Sequence, residues 1–378
     1  MERPPYRFGA PVEPPWFCDR ERELGVVVDR MEAGIHVFVL SPRRYGKTSL
    51  IRRAAARVES AGGRTAYANL LLATTEVELA AIVLQAAMRG VLGPAGRARH
   101  SLEAVLRQLR VNPTVSLGSD GSVSVSLDPS LATGRWLDVV ADALGILRHA
   151  AERRPAVLVL DEFQVAATIG RTGVGGAFKA VADDASGVSI VFAGSHLAVM
   201  EQLTKGSGAP LHGMGERLVL DVVPEEPMVA YLRRRARSAR KRLGVPTARR
   251  IYRLADAVPN FVQQLALATL EAAGPAEELT DAHVDTGLRT VVERQASTFA
   301  QQFEAMASAP AQQRILKELA RRPTASVYAK AFLDAVGVAN ANAVTTALHA
   351  LDGKELVARR ERVWDVADPF LRRWLLEG

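Results

Sequence analysis

The 378 residues include 48 Lys and Arg against 41 Asp and Glu, a formal net charge of +7, and are 48% hydrophobic and 24% charged. Such a balance is ordinary for a globular chain with core enough for two or three domains. It excludes a membrane-spanning helix, because no run of about 18 uncharged apolar residues occurs, and the single cysteine, Cys18, excludes an intramolecular disulfide and a Cys-rich zinc site.

Residues Met1–Trp16 contain five prolines and no apolar stretch of the secretory kind, so an extended lead-in is expected and a reducing, cytoplasmic location. The seven histidines are scattered without metal-ligand spacing. The net positive charge favours an acidic partner such as nucleic acid, although arginine richness also follows from genomic base composition.

Phe17–Leu24 opens a helix, with Asp19 a plausible N-cap and Leu24, Val27, Val28 and Met31 at helical spacing. Gly34 ends it. The apolar run His36–Leu40 then reads as a strand, followed by Ser41-Pro42-Arg43-Arg44-Tyr45-Gly46-Lys47-Thr48-Ser49-Leu50 and a helix over Ser49–Val58. Strand, tight loop ending Gly-Lys-Thr and helix together make a phosphate-binding P-loop, with Ser41 in place of the usual first glycine. Backbone N–H groups of the loop and the helix N-terminus suit phosphate oxygens. Lys47 is expected to reach the β/γ-phosphates and Thr48 to sit on Mg²⁺.

Thr65–Leu70 reads as a second strand and Glu76–Val91 as a helix. Between about 112 and 127 the pattern changes: Thr114–Leu117 and Ser122–Leu127 alternate around Asp120-Gly121, a β-hairpin inserted beside the main sheet with a solvated serine face. After a helix over Trp136–Ala151, the buried strand Ala156–Glu162 ends on two carboxylates. Asp161 suits the Mg²⁺ ion or its water, and Glu162 suits polarisation of an attacking water. Capping of the next helix is the alternative for both. Val188–Ser195 is a further apolar strand. Ligands of open α/β sheets bind beyond the strands' carboxyl ends, so Ser195 is placed to bond a γ-phosphate or the water. Leu218–Val222 completes the strands, with Arg217 just before it.

Beyond Pro224 the β signal stops. Helices are expected over Pro227–Leu243, Thr247–Ala257, Asn260–Ala273 and Asp281–Ala307. Between Met228 and Ala255 nothing is acidic, while Arg233, Arg234, Arg235, Arg237, Arg240, Lys241, Arg242, Arg249, Arg250 and Arg253 are basic. The stretch is a solvated face or an anion-binding one. After Pro310, Ala311–Arg321, Ser326–Val336 and Ala341–Leu351 read as three short helices, and Leu356–Arg359 with Arg362–Val366 as a wing. This is a winged helix-turn-helix, presenting Asn342, Thr345, Thr346, His349 and wing residues Arg359, Arg360 and Arg362; such modules dock on DNA or on proteins.

Together these boxes resemble the archaeal-type P-loop ATPases, in the STAND and origin-recognition-like branch of AAA+ proteins. The resemblance is carried by Phe17–Leu24, Ser41–Leu50, Leu158–Gln164, Gly194-Ser195, Pro210–Gly213 with Arg217, Ala257-Val258-Pro259, and Asp368-Pro369 with Trp374. Ala257 stands where the family's lid motif has glycine. The resemblance implies an α/β P-loop core (17–224, after a lead-in over 1–16), a helical lid (225–308) and a winged helix (309–378). It implies ATP rather than GTP as cofactor, with Mg²⁺, and no Asn-Lys-x-Asp guanine motif stands out. It implies that Phe17 and Arg20 lie near adenine, that Pro259 belongs to the lid's nucleotide contact, and that Arg217 reaches the γ-phosphate of a neighbouring copy in an ATP-dependent homo-oligomer.

Three functions compete: an ATPase acting on DNA through Arg233–Arg253 and the winged helix, an ATP-dependent switch binding a protein client, and a phosphotransferase. Glu162 directly after Asp161 favours water over a hydroxyl acceptor, placing the last behind.

Overall fold

The structure is a computed structural model that describes residues 4–92, 99–118, 123–128, 135–169, 174–360 and 362–377. The chain divides into two compact units, one of Arg20–Asp221 and one of Met1–Asp19 with Val222–Gly378.

The first unit runs α1 (Glu21–Glu32), β1 (Val37–Leu40), α2 (Lys47–Ser60), β2 (Arg64–Asn69), α3 (Glu76–Leu92), α4 (Arg99–Leu106), β3 (Thr114–Leu117), β4 (Val123–Ser126), α5 (Trp136–Ala151), β5 (Ala156–Asp161), α6 (Val165–Thr168), α7 (Val174–Asp183), β6 (Val188–Gly194), α8 (Leu197–Thr204) and β7 (Glu216–Val219). Five strands form one parallel sheet in the order β2-β5-β6-β1-β7. The central strands β1, β5 and β6 are buried along their whole length, which is why they read as unbroken apolar runs rather than alternations. Phe38 of β1 stacks on Phe192 of β6 at 4.8 Å, and Phe163 meets Phe192 edge-on at 4.8 Å, tying the carboxyl ends of the strands together.

Two local expectations are corrected. Helix α1 starts at Glu21 without a side-chain cap, because Asp19 and Arg20 both take left-handed backbone, φ 53° and 73°. The last strand is Glu216–Val219 rather than Leu218–Val222, so Arg217 lies within it. Gly215 sets that start: a Cβ there would stand 2.4 Å from the His36 carbonyl oxygen, and the next N–H, of Glu216, donates to that oxygen at 3.0 Å. As an edge strand β7 has three of its four residues exposed, which blunts its apolar signature.

The hairpin β3–β4 forms its own two-stranded sheet, pairing Thr114 with Ser126 and Leu117 with Val123. Its expected Asp120-Gly121 turn lies outside the described residues. Val123 is buried towards α3, where the Arg89 guanidinium donates to its carbonyl, while Thr114, Ser116, Ser124 and Ser126 are exposed.

The second unit contains α9 (Glu225–Ser238), β8 (Arg242–Leu243), α10 (Val245–Leu254), α11 (Pro259–Ala273), β9 (Glu278–Leu279), α12 (Asp281–Glu304), α13 (Pro310–Arg321), α14 (Lys330–Val336), α15 (Ala341–Gly353), β10 (Val357–Arg360), β11 (Val363–Val366) and α16 (Pro369–Glu377). The expected helix Pro227–Leu243 breaks after Ser238, where Arg240 turns left-handed and Arg242–Leu243 pair in parallel with Glu278–Leu279. Residues 4–16 do not run free. Tyr6 is fully buried with its hydroxyl on the Leu232 carbonyl at 2.8 Å, and Trp16 is 6% exposed.

Helices α13, α14 and α15 and the antiparallel wing β10–β11 form the winged helix, with Thr324 bridging Trp364 as a third strand position. Helix α16 was not expected. Asp368 caps it by accepting the Phe370 N–H at 2.8 Å, and it seats Phe370 against Phe261 at 5.5 Å. Among the described residues no helix is long and apolar enough to cross a membrane.

Candidate functional site

The loop between β1 and α2 departs from regular backbone at two points, Arg44 with φ 72° and Gly46 with φ 91°. Glycine is suited to the second, where an L side chain is strained. Ser41 N–H donates to the Gly194 carbonyl at 3.3 Å, which hangs the loop on β6. Arg20, 6% exposed, donates to the Tyr45 and Asp221 carbonyls and pairs with Glu23 at 2.9 Å. Its guanidinium is thus engaged in bracing the loop. Helix α2 has neither a side-chain cap nor an acidic residue in its first turn, so no carboxylate of its own offsets the positive end of its dipole.

Lys47, 5% exposed, has its Nζ 3.2 Å from Asp161 Oδ1 and 3.5 Å from Glu162 Oε1. Neither approach is aligned as a hydrogen bond: Lys47 Nζ and Ser41 Oγ are buried polar atoms without one. Buried donors in that condition are costly, and phosphate oxygens would satisfy both. Asp161, 2% exposed, accepts from Thr48 Oγ1 at 3.0 Å and from the Tyr67 hydroxyl through Oδ2, and from the Glu162 N–H at 3.0 Å through Oδ1.

Glu162 takes φ 57°, a left-handed conformation that costs a non-glycine residue roughly 1–2 kcal/mol. Its Oε2 accepts from Ser195 Oγ at 2.8 Å and from Gln164 Nε2 at 2.5 Å. Gln164 also accepts the Ser195 N–H at 3.2 Å, so one amide side chain holds both residues. A Cβ on Gly194 would fall 2.4 Å from Met200 and 3.2 Å from the Gln164 oxygen, so the bare backbone there permits the clasp.

The carboxyl ends of β1, β5 and β6 therefore bring together Ser41, Lys47, Thr48, Asp161, Glu162 and Ser195. Tyr67 and Gln164 join them without having been assigned roles from sequence. Gln164 was visible as the end of the Asp-Glu-Phe-Gln box. Tyr67 reaches Asp161 only through the pairing of β2 with β5. Phe17 and Pro259 belong to the other unit. Arg217, about one-third exposed, lies on the edge strand with its guanidinium 3.7 Å from Glu201.

Among the described residues no group of three or more His, Cys, Asp or Glu could hold a metal. Thr48 and Asp161 nevertheless suit Mg²⁺, which takes one or two protein oxygens and fills its octahedron with phosphates and water.

The basic stretch is largely engaged within its own unit. Arg249 and Arg253 pair with Glu225, Arg250 with Asp285 at 2.6 Å, and Arg242 with Glu277. Arg233 and Arg235 donate to the Leu243 and Pro5 carbonyls, and Lys241 to those of Gly274 and Ala276. Arg234, Arg237 and Arg240 are exposed. On the winged helix, α15 exposes Asn342, Thr346 and His349, while Thr345 is half-buried. Arg359 and Arg362 are exposed, whereas Arg360 turns back towards Asp256 at 3.5 Å.

A family model described as a probable winged helix domain matches residues 297–377. The Walker-type ATPase of Pyrococcus abyssi superposes with a TM-score of 0.67 at 16% identity, covering 99% of this chain and 98% of its own. The ORC2 protein of Aeropyrum pernix, in ADPNP–ADP complexes, gives 0.54 at 15% identity over 94% and 92% of the two chains. The ORC1 protein of the same organism, in complex with DNA, gives 0.50 at 17% identity over 97% and 95%. No curated protein matches the sequence. At these identities the likeness shows the fold: a parallel-sheet α/β core of the P-loop type followed by a C-terminal winged helix, as in these three structures.

Proposed function

We propose that this chain binds ATP with Mg²⁺ at Ser41–Ser49 and hydrolyses it, using the cycle to change its hold on a client. The observation that carries this reading is the cluster at the ends of β1, β5 and β6. There Lys47 lies beside Asp161 and Glu162, and Glu162 is aimed by Ser195. Lys47 and the loop N–H groups take the phosphates, while Thr48 and Asp161 hold Mg²⁺, which when bound neutralises charge on the phosphate oxygens. Glu162 draws the proton of a water aligned by Ser195.

DNA is the client this reading favours. The exposed residues of α15, with Arg359 and Arg362, form a surface that fits a groove and its phosphates, and Arg234, Arg237 and Arg240 add exposed positive charge. The ORC1 structure, solved with DNA, shares this architecture. A protein client is the second reading. It is favoured by the engagement of Arg249, Arg250 and Arg253 with carboxylates and by the absence of arginine from α15. The ATPase rate with and without duplex DNA, joined to a mobility-shift titration at low salt, separates the two. A DNA-stimulated rate and salt-sensitive binding support the first. No binding even at low salt removes it and leaves the protein client.

A further inference from the structure

Tyr67 is in contact with the candidate cation-binding pair through its hydroxyl. It sits on β2, opposite Val159 in the β2–β5 register, and its hydroxyl donates upward to Asp161 Oδ2, the oxygen that Thr48 Oγ1 also contacts at 3.0 Å. The Arg52 guanidinium lies over the Tyr67 ring at 5.3 Å. Arg52 is one turn beyond Thr48 on α2, so the ring is gripped by the helix that carries Thr48 while its hydroxyl grips the strand end that carries Asp161.

Counted by atoms, Asp161 Oδ1 has the Glu162 N–H and the Lys47 ammonium, and Oδ2 has Thr48 and Tyr67. Carboxylate ligands are oriented by such outer hydrogen bonds, whose loss typically lowers metal affinity ~10–100-fold. Resting on the nucleotide reading above, we infer that Tyr67 is a positioning residue for the cation: it fixes the plane of the Asp161 carboxylate and its distance from Thr48. Mg²⁺·nucleotide binding and turnover then depend on the Tyr67 hydroxyl, whereas metal-free nucleotide binding does not.

Tyr67→Phe tests this, since it keeps the ring and its Arg52 contact and removes one hydroxyl. A fluorescent ADP analogue is titrated into wild type and variant, once in EDTA and once across a Mg²⁺ series, with thermal unfolding recorded for both proteins. Equal affinity in EDTA, a Mg²⁺ half-saturation point raised about 10-fold in the variant, and ATP turnover recovered by excess Mg²⁺ support the inference. An unchanged Mg²⁺ half-saturation point overturns it. So does an affinity loss equal in EDTA and in Mg²⁺, or a deficit that excess Mg²⁺ leaves in place, because a merely structural role gives those results. Wild-type protein that binds no nucleotide in either medium overturns the reading of the site itself, and the inference with it.

Discussion

Lys47 and Asp161 stand 3.2 Å apart with both side chains almost excluded from solvent, so the cation suited to phosphate is held by the carboxylate suited to Mg²⁺. Truncating one member of a buried charge pair commonly costs 2–5 kcal/mol in binding, about 30- to several-thousand-fold. Lys47→Ala is therefore expected to lower ATP affinity ~10²-fold or more in equilibrium titration. It also leaves the buried Asp161 and the half-buried Glu162 without their cation, so the first unit should melt earlier. Wild-type affinity in this variant would mean that the loop does not bind phosphate.

The edge position of Arg217 motivates a prediction about assembly. Among the described residues β7 is an edge strand paired with β1, and Arg217 has Glu201 as a 3.7 Å neighbour, too exposed to be a strong pair. If Arg217 serves a neighbouring copy, Arg217→Ala binds ATP normally and hydrolyses it ~10³-fold more slowly. Excess Lys47→Ala protein, whose Arg217 is intact, then restores part of the turnover. Turnover independent of protein concentration, in a chain that stays monomeric with ATP, would rule out the trans role.

Ala257 has φ 61° and follows Asp256 at φ 50°, two left-handed residues in the turn between α10 and α11. The resemblance places glycine at Ala257, and the backbone supplies the physical reason. A left-handed alanine costs roughly 1–2 kcal/mol, of which the greater chain entropy of unfolded glycine takes back up to about 1 kcal/mol. Ala257→Gly is expected to raise the unfolding midpoint of the second unit by about 1–3 °C. An unchanged or lower midpoint would contradict the strain.

His36 gives a pH test. Its Nδ1 accepts the Ile190 N–H at 3.1 Å, and burial lowers its pKa, only partly opposed by Asp183. Below the ordinary histidine pKa near 6.5 the unfolded chain takes up a proton that the folded chain refuses. The stability contributed by neutral His36 is thus complete above that pH and lost as pH falls towards the depressed folded value. Denaturant midpoints should fall between about pH 7.5 and pH 5.5, and fall less steeply in His36→Gln. The same slope in both proteins would assign the pH dependence to other groups.

Much of this architecture is written locally. The apolar runs ending in Leu40, Asp161 and Gly194 are buried along their length, and Gly46 and Thr48 mark the loop whatever surrounds them. What escaped notice depends on partners distant in sequence. Tyr67 meets Asp161 across a strand pair, and Arg249, Arg250 and Arg253 find Glu225 and Asp285 beyond the acid-free stretch that made them look unpaired. Helix α16 was legible: Asp368 before Pro369 is a capping residue before a proline at the first helical position. The left-handed turn at Glu162 was not, because nothing in its own residue type requires it.

In the proposed reaction Glu162, aimed by Ser195 and Gln164, would activate water against a phosphate bound at Lys47. Glu162→Gln tests it most directly, measured as ATP affinity and steady-state hydrolysis beside wild type. The geometry predicts retained ATP binding with turnover lowered ~10²-fold or more. Hydrolysis by Glu162→Gln as fast as by wild type would contradict it.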